Sequence, residues 1–193
     1  MPITKADLFD FLRLHRYAVQ ASHSPDGAPQ AALVGFAANR NLQLIFDSFD
    51  STRKVANLRH SPRVAFVIGG YATGDERTVQ YEGVVDTPDG AELETLKRDY
   101  FAVHPDGLRR SRLAGITYFR VNPVWIRYTN FNVKPPQIVE FDSAALQSPD
   151  EHAGAVVPVR PYNALDEPWQ PEVERGRVFN SFESPQKGTP GRG

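Results

Sequence analysis

The chain has 193 residues, no cysteine, and 22 basic against 23 acidic side chains, for a net charge of −1. Near-neutrality leaves no electrostatic footprint for nucleic acid or an anionic membrane, and the missing thiols exclude disulfides, thiolate metal sites and cysteine nucleophiles. No apolar run approaches the roughly 20 residues that cross a bilayer, and the first residues lack the pattern of a secretion signal; a soluble cytoplasmic protein with one good core is expected.

Residues 4–15 predict an amphipathic helix, with Thr4 as cap and Leu8, Phe9, Phe11, Leu12 and Leu14 on a broad apolar face. The period then shifts to that of strands. Residues 16–23 and 29–38 flank Ser24-Pro25-Asp26-Gly27, where Pro suits the second turn position and Gly accepts positive φ. Asn39-Arg40-Asn41 turns into a third strand, 42–47, with Leu42, Leu44 and Phe46 on one face. A short helix over 53–60 follows, capped by Ser51 or Thr52 and stopped before Pro62. The nearly continuous apolar run 63–68 reads as a strand buried on both faces, and 78–86 as its return. Pro88-Asp89-Gly90 opens a helix over 91–103, and a basic patch (Arg109, Arg110, Arg112) precedes two last strands, 116–121 and 124–133, with Asn122-Pro123 between them.

Six or seven strands with small helices point to a closed or nearly closed antiparallel barrel, because an open sheet would leave edges to manage. The barrel domain is placed at 1–140. Residues 141–193 carry seven of the 16 prolines and read as an extended or partly disordered tail. Two roles stand for it, a solvated tail or an arm on a partner subunit, with Trp169 and Phe179 as local docking points.

No phosphate loop, dinucleotide fingerprint or nucleophile elbow occurs, and the five histidines are scattered without metal-ligand spacing. No catalytic acid or base can be paired from sequence. The informative stretch is LQLIFDSFDSTRKVANLRHSPRVAFV, residues 42–67. A strand ends in Asp47-Ser48, and Arg53 and Lys54 then occupy the first turn of a helix. Cations there oppose the helix dipole; among the hydroxyls of Ser48, Ser51 and Thr52 they make sense around an anion such as a phosphate monoester. A solvated basic turn is the other reading of the same residues.

This segment resembles the cofactor-binding core of the pyridoxamine 5′-phosphate oxidase-like family. The resemblance rests on Asp47-Ser48, Thr52-Arg53-Lys54, Asn57-Leu58 and Pro62-Arg63-Val64, with the 24–29 hairpin upstream, Thr78-Val79-Gln80-Tyr81-Glu82-Gly83, and Pro123-Val124-Trp125-Ile126-Arg127-Tyr128. It implies an antiparallel FMN-binding split barrel, a homodimer with flavin at the subunit interface, and FMN-dependent redox chemistry on a small molecule. It also implies that Arg53 and Lys54 hold the flavin phosphate, helped by Ser48, Asp47 and Thr52, and that main-chain groups around Val34 line the ring. Gln80 corresponds to a ring-binding glutamine, or is a surface glutamine on an edge strand; Trp125 and Arg127 approach flavin across a dimer interface, or Trp125 is core. Two features of the true oxidases are missing. The second strand has no Lys or Arg, and Arg127 is followed by Tyr128-Thr129 rather than completing an Arg-x-His pocket signature. The cofactor is therefore better supported than any substrate, and a flavin carrier or sensor, or a barrel holding a deazaflavin or haem, are the alternatives.

Overall fold

The computed structural model describes residues 3–70, 72–149 and 154–158. The helix α1 (Lys5–Leu12) opens on a capping box, in which the Thr4 hydroxyl accepts from the Asp7 N–H and the Asp7 carboxylate accepts from the Thr4 N–H. Alternation then builds β1 (Tyr17–His23), β2 (Pro29–Gly35), β3 (Ala37–Ala38) and β4 (Leu44–Phe49). The expected third strand starts two residues late because Leu42 lies in the left-handed region (φ 58), held there by the Asn39 side chain, which accepts from the N–H groups of Asn41 and Gln43. After α2 (Arg53–His60) come β5 (Arg63–Gly69), β6 (Arg77–Asp86), α3 (Gly90–Val103), α4 (Gly107–Arg110) and β7 (Ile116–Asn130).

These strands form an antiparallel sheet of order β2-β1-β5-β6-β7-β4-β3. Its two ends, β2 and β3, are separated in the chain by Phe36 alone. The strand expected over 29–38 is thus two, because it changes partner: β2 pairs with β1, and β3 pairs with β4. No ladder joins β2 to β4 among the described residues, so the barrel is split along that seam rather than closed.

Inside the curl lies the main core, with Leu8, Phe36, Leu44, Phe46, Phe66, Ile68, Tyr81, Ile126 and Phe141 buried. Leu96 and Tyr100 of α3 cover Ala37, Ile45 and Tyr118 on the opposite face, which explains why adjacent Tyr118 and Phe119 are both buried.

Two sequence expectations are corrected. Asn122-Pro123 does not separate two strands; β7 runs through it, with a register shift opposite Glu82 and Gly83 that absorbs a proline unable to donate to the ladder. A Cβ on Gly83 would sit 2.6 Å from Val121 and 2.7 Å from the Asn122 carbonyl, so this close approach requires glycine. Nor does the sheet stop near residue 140. It continues through β8 (Gln137–Phe141), α5 (Ser143–Gln147) and β9 (Ala155–Val156), bringing the count to nine strands among the described residues where six or seven are expected. Lys5, 7% exposed, reaches from α1 to the carbonyls of Leu146 and Ser148 at the end of α5, where a cation also complements the helix dipole. Residues 159–193, with Trp169 and Phe179, lie outside the described residues, and no described helix is long and apolar enough to cross a membrane.

Tyr81 is fully buried, and its hydroxyl lies 3.1 Å from the Leu42 carbonyl and 3.0 Å from that of Val121, bridging the strained turn to β7. Tyr81→Phe should cost about 1–2 kcal/mol, the typical loss for a buried hydrogen bond whose acceptors are stranded; urea denaturation of the two proteins measures it.

Candidate functional site

The helix α2 begins directly after the β4 turn. Thr52 is its N-cap, its hydroxyl accepting from the Val55 N–H at 3.4 Å, and the hydroxyls of Ser48 and Thr52 lie 3.0 Å apart. Lys54 Nζ donates to Ser48 Oγ at 3.3 Å, so the predicted Ser48, Thr52 and Lys54 form one contiguous cluster. The main-chain N–H groups of Arg53 and Lys54 have no intrahelical acceptor. Among the described residues no carboxylate lies within ion-pair distance of either cation.

Asn57, one turn on and 3% exposed, fixes this helix against the sheet. Its Nδ2 donates to Ser22 Oγ on β1 (3.1 Å) and to Gln30 Oε1 on β2 (3.0 Å). Helix start and hairpin then form the two walls of a groove of about 630 Å³, lined by Gln20, Ser22, Gln30 and Ala32 on one side and Thr52, Arg53 and Lys54 on the other. Because among the described residues β2 is paired only with β1, its second edge presents main-chain N–H and C=O groups to the seam.

Lys54 also borders a second cavity of about 220 Å³ farther along the seam, where Val34, Gly35 and Asp47 meet Tyr100, His104 and Arg110. His104 is the wedge between β2 and β4. Its Nε2 lies 2.9 Å from the Phe36 carbonyl, which can only accept, so Nε2 carries the proton. A Cβ on Gly35 would stand 3.0 Å from the imidazole, so glycine there gives the ring room. Tyr100 stacks on His104 with centroids 4.8 Å apart and donates to Asp47 Oδ1 at 3.0 Å. Burial, then the adjacent Asp47 carboxylate, raises the Tyr100 phenol well above its ordinary range, so it stays a donor at neutral pH. Arg110 donates to Asp47 Oδ2 at 3.2 Å. The Asp47 carboxylate is thus engaged by α3 and α4, partners 53 and 63 residues away in the chain.

Gln80, Trp125 and Arg127 are not gathered into the groove of their own chain. They occupy the outer face of β6 and β7, where Gln80 pairs with Arg127 and Glu82 with Trp125. The Arg127 guanidinium lies over the Trp125 ring, 5.3 Å from its centroid, and donates to Glu140 Oε1 at 2.8 Å. Along the same face one cross-strand row runs Leu33–Val19–Val67–Gln80–Arg127. Its three apolar members are 69%, 43% and 48% exposed, an uncovered stripe that starts at the rim of the second cavity, where Leu33 is a lining residue.

Sequence reasoning did not single out Gln20, the bracing role of Asn57, or the Tyr100–His104–Arg110 cover. A glutamine at an inward position of an alternating strand is a local signal for the first; the cover is a long-range meeting with no local signal.

The sequence model of the family described as pyridoxamine 5′-phosphate oxidase matches residues 4–130. No curated protein matches the sequence. Among solved structures, a haem-binding protein from Mycobacterium smegmatis aligns with TM-score 0.65 and 14% identity over 76% of this chain and 61% of that one. A pyridoxamine 5′-phosphate oxidase-related, FMN-binding protein from Nostoc punctiforme gives 0.56 and 14%, over 75% of this chain and 88% of that one. General Stress Protein 26 from Bacillus anthracis gives 0.55 and 18%, over 71% and 98% respectively. At these identities the likeness establishes the split-barrel fold, and this chain spans less than two thirds of the haem-binding protein.

If Asn57 braces the groove, Asn57→Ala should lose about 1–3 kcal/mol of stability. Amide exchange in the 17–35 hairpin should accelerate more than in β6, a contrast that hydrogen-exchange mass spectrometry resolves.

Proposed function

Because the chain belongs to the pyridoxamine 5′-phosphate oxidase family, matched over residues 4–130, we propose that it binds FMN along the β2–β4 seam of a homodimer and serves flavin-dependent redox chemistry on a small molecule. The observation that carries the reading is the pair Arg53 and Lys54, set at a helix start without a carboxylate partner among the described residues and opening into the groove. A phosphate dianion satisfies both cations and the free N–H groups at once.

The roles follow from the residues. Arg53, Lys54 and the first-turn amides hold the phosphate, and the Ser48 and Thr52 hydroxyls orient Lys54. The open edge of β2, near Val34 and Gly35, offers main-chain donors and acceptors to the flavin ring, while His104 and Tyr100 close the seam beyond it. Asp47 serves this site through Tyr100 and Arg110, as a positioning residue rather than a contact to phosphate. FMN itself supplies the hydride or electron-pair transfer; the chain binds, orients and excludes water. FMN is favoured over haem by the phosphate grip of Arg53 and Lys54 on the groove, although Tyr17, Tyr100 and His104 border the second cavity of the same seam.

The dimer part of the reading rests on the exposed outer row. A two-fold axis near Val67 would lay the row of one copy on that of another in the opposite direction, as an isologous contact requires. Gln80 and Arg127 of each copy would then fall at the Leu33 rim of the other's seam, and the apolar stripe would be covered.

The purified protein should carry a yellow chromophore with flavin absorption, and the double variant Arg53→Ala/Lys54→Ala should lose about 3–6 kcal/mol of FMN affinity, from ~1.5–3 for each charge-assisted hydrogen bond; undiminished affinity sinks the phosphate assignment. Stoichiometric FMN with no turnover across a panel of electron donors and acceptors would make the protein a flavin carrier instead. Val67→Lys, which places a cation at the centre of the row without touching the core, should yield a monomer by sedimentation and lower FMN affinity at least tenfold (about 1.4 kcal/mol). A dimer that persists, or a monomer that binds FMN as tightly as the native protein, counts against the interface.

A further inference from the structure

The groove contains a polar group that the phosphate contacts leave unexplained. Gln20 points inward from β1, is 1% exposed, and has no hydrogen-bond partner for either Oε1 or Nε2 among the described residues. Its cross-strand neighbours are Ala32 on β2 and Phe66 on β5, neither with a polar side chain. A buried carboxamide without partners destabilises a fold, and such groups persist where function uses them. Gln20 borders the same groove as Arg53 and Lys54.

The flanking residues define what would meet it. Asn57 uses the acceptors Ser22 Oγ and Gln30 Oε1, which leaves the Ser22 hydroxyl proton and the Gln30 amide protons as donors. With Gln20 they make a wall of uncharged donors and acceptors running away from two cations. A row of hydroxyls, each donor and acceptor together, is the chemistry that complements such a wall; an apolar or charged linker would leave Gln20 as it stands.

We infer that Gln20 reads the polyhydroxylated chain joining the ligand's phosphate to its ring, and so selects a ribityl phosphate over other phosphorylated cofactors. This rests on the FMN reading and extends it to a residue outside the phosphate grip. Gln20 is then a cofactor-specificity residue whose desolvation is offset only when the ligand is bound.

The test is a double-mutant cycle on the full chain, read by FMN fluorescence titration together with thermal unfolding of the flavin-free protein. Gln20→Leu, with Gln20→Met as a second, unbranched replacement, should weaken FMN binding about tenfold while leaving the flavin-free Tm equal to or above that of the native protein. Combined with Arg53→Ala, the two fold-losses should multiply, as expected for contacts to separate parts of one ligand. Unchanged FMN affinity, a lowered Tm in both replacements, or losses that fail to multiply each overturn the assignment. Native protein that binds no FMN overturns the functional reading and this one with it, whereas native binding with an indifferent Gln20 variant overturns this one alone.

Discussion

The fold turns on a single change of partner. The chain that enters the sheet at Pro29 runs beside β1 as far as Gly35, passes through Phe36, and at the next residue, Ala37, is paired with β4. Had it followed β4 throughout, the barrel would have closed with a continuous ladder. Instead the Phe36 N–H donates to the Arg16 carbonyl and the Phe36 carbonyl takes the proton of His104, so both its polar groups are satisfied without a ladder. The seam is thereby a stable feature of the sheet rather than a defect, and the candidate phosphate grip lies beside it.

Three consequences of that seam meet in one place. The second edge of β2 is left with main-chain groups unmatched by another strand. The helix after β4 points its first turn at that edge, and Asn57 fixes the spacing by holding Ser22 and Gln30 together. Side chains from α3 and α4 then fill the far end, with Tyr100 and Arg110 on Asp47. The candidate site is built by elements from the first two thirds of the chain, each contributing one or two groups. Polar and apolar duties share the inward face of the sheet: Ala18 and Phe66 pack in the core while Gln20 and Ser22, on the same face, border the groove.

Much of this was legible in the sequence, and the parts that were not have identifiable causes. Alternation and turn chemistry located the strands from 17 to 86, and Thr52-Arg53-Lys54 marked the anion-ready helix start because cations in a first turn run against the helix dipole. Pro123 misled, since a proline reads as a strand end unless a bulge beside it absorbs it, and the close approach at that bulge depends on Gly83, forty residues earlier in the chain. Residues 141–149 looked like tail because their stability comes from tertiary tethers such as Lys5 rather than from local pattern. Asp47 stands out in the sequence as a candidate, but its engagement by Tyr100 and Arg110 cannot be read from residues so distant in sequence. The outer position of Gln80 followed from alternation; its separation from Arg53 within one chain followed only from strand order.

The unpaired edge of β2 has a bearing on the life of the protein before any cofactor arrives. An open strand edge is a template for another strand, and beyond Pro29, which cannot donate to a ladder, β2 offers little deterrent: Gln30, Ala31, Ala32, Leu33 and Val34 carry no charge. A ligand seated along that edge occupies the groups on which an intruding strand would assemble. On the proposed FMN reading, chains that have not yet taken up ligand would be the ones most exposed to strand addition, and loading would act as a form of quality control over the pool of folded protein.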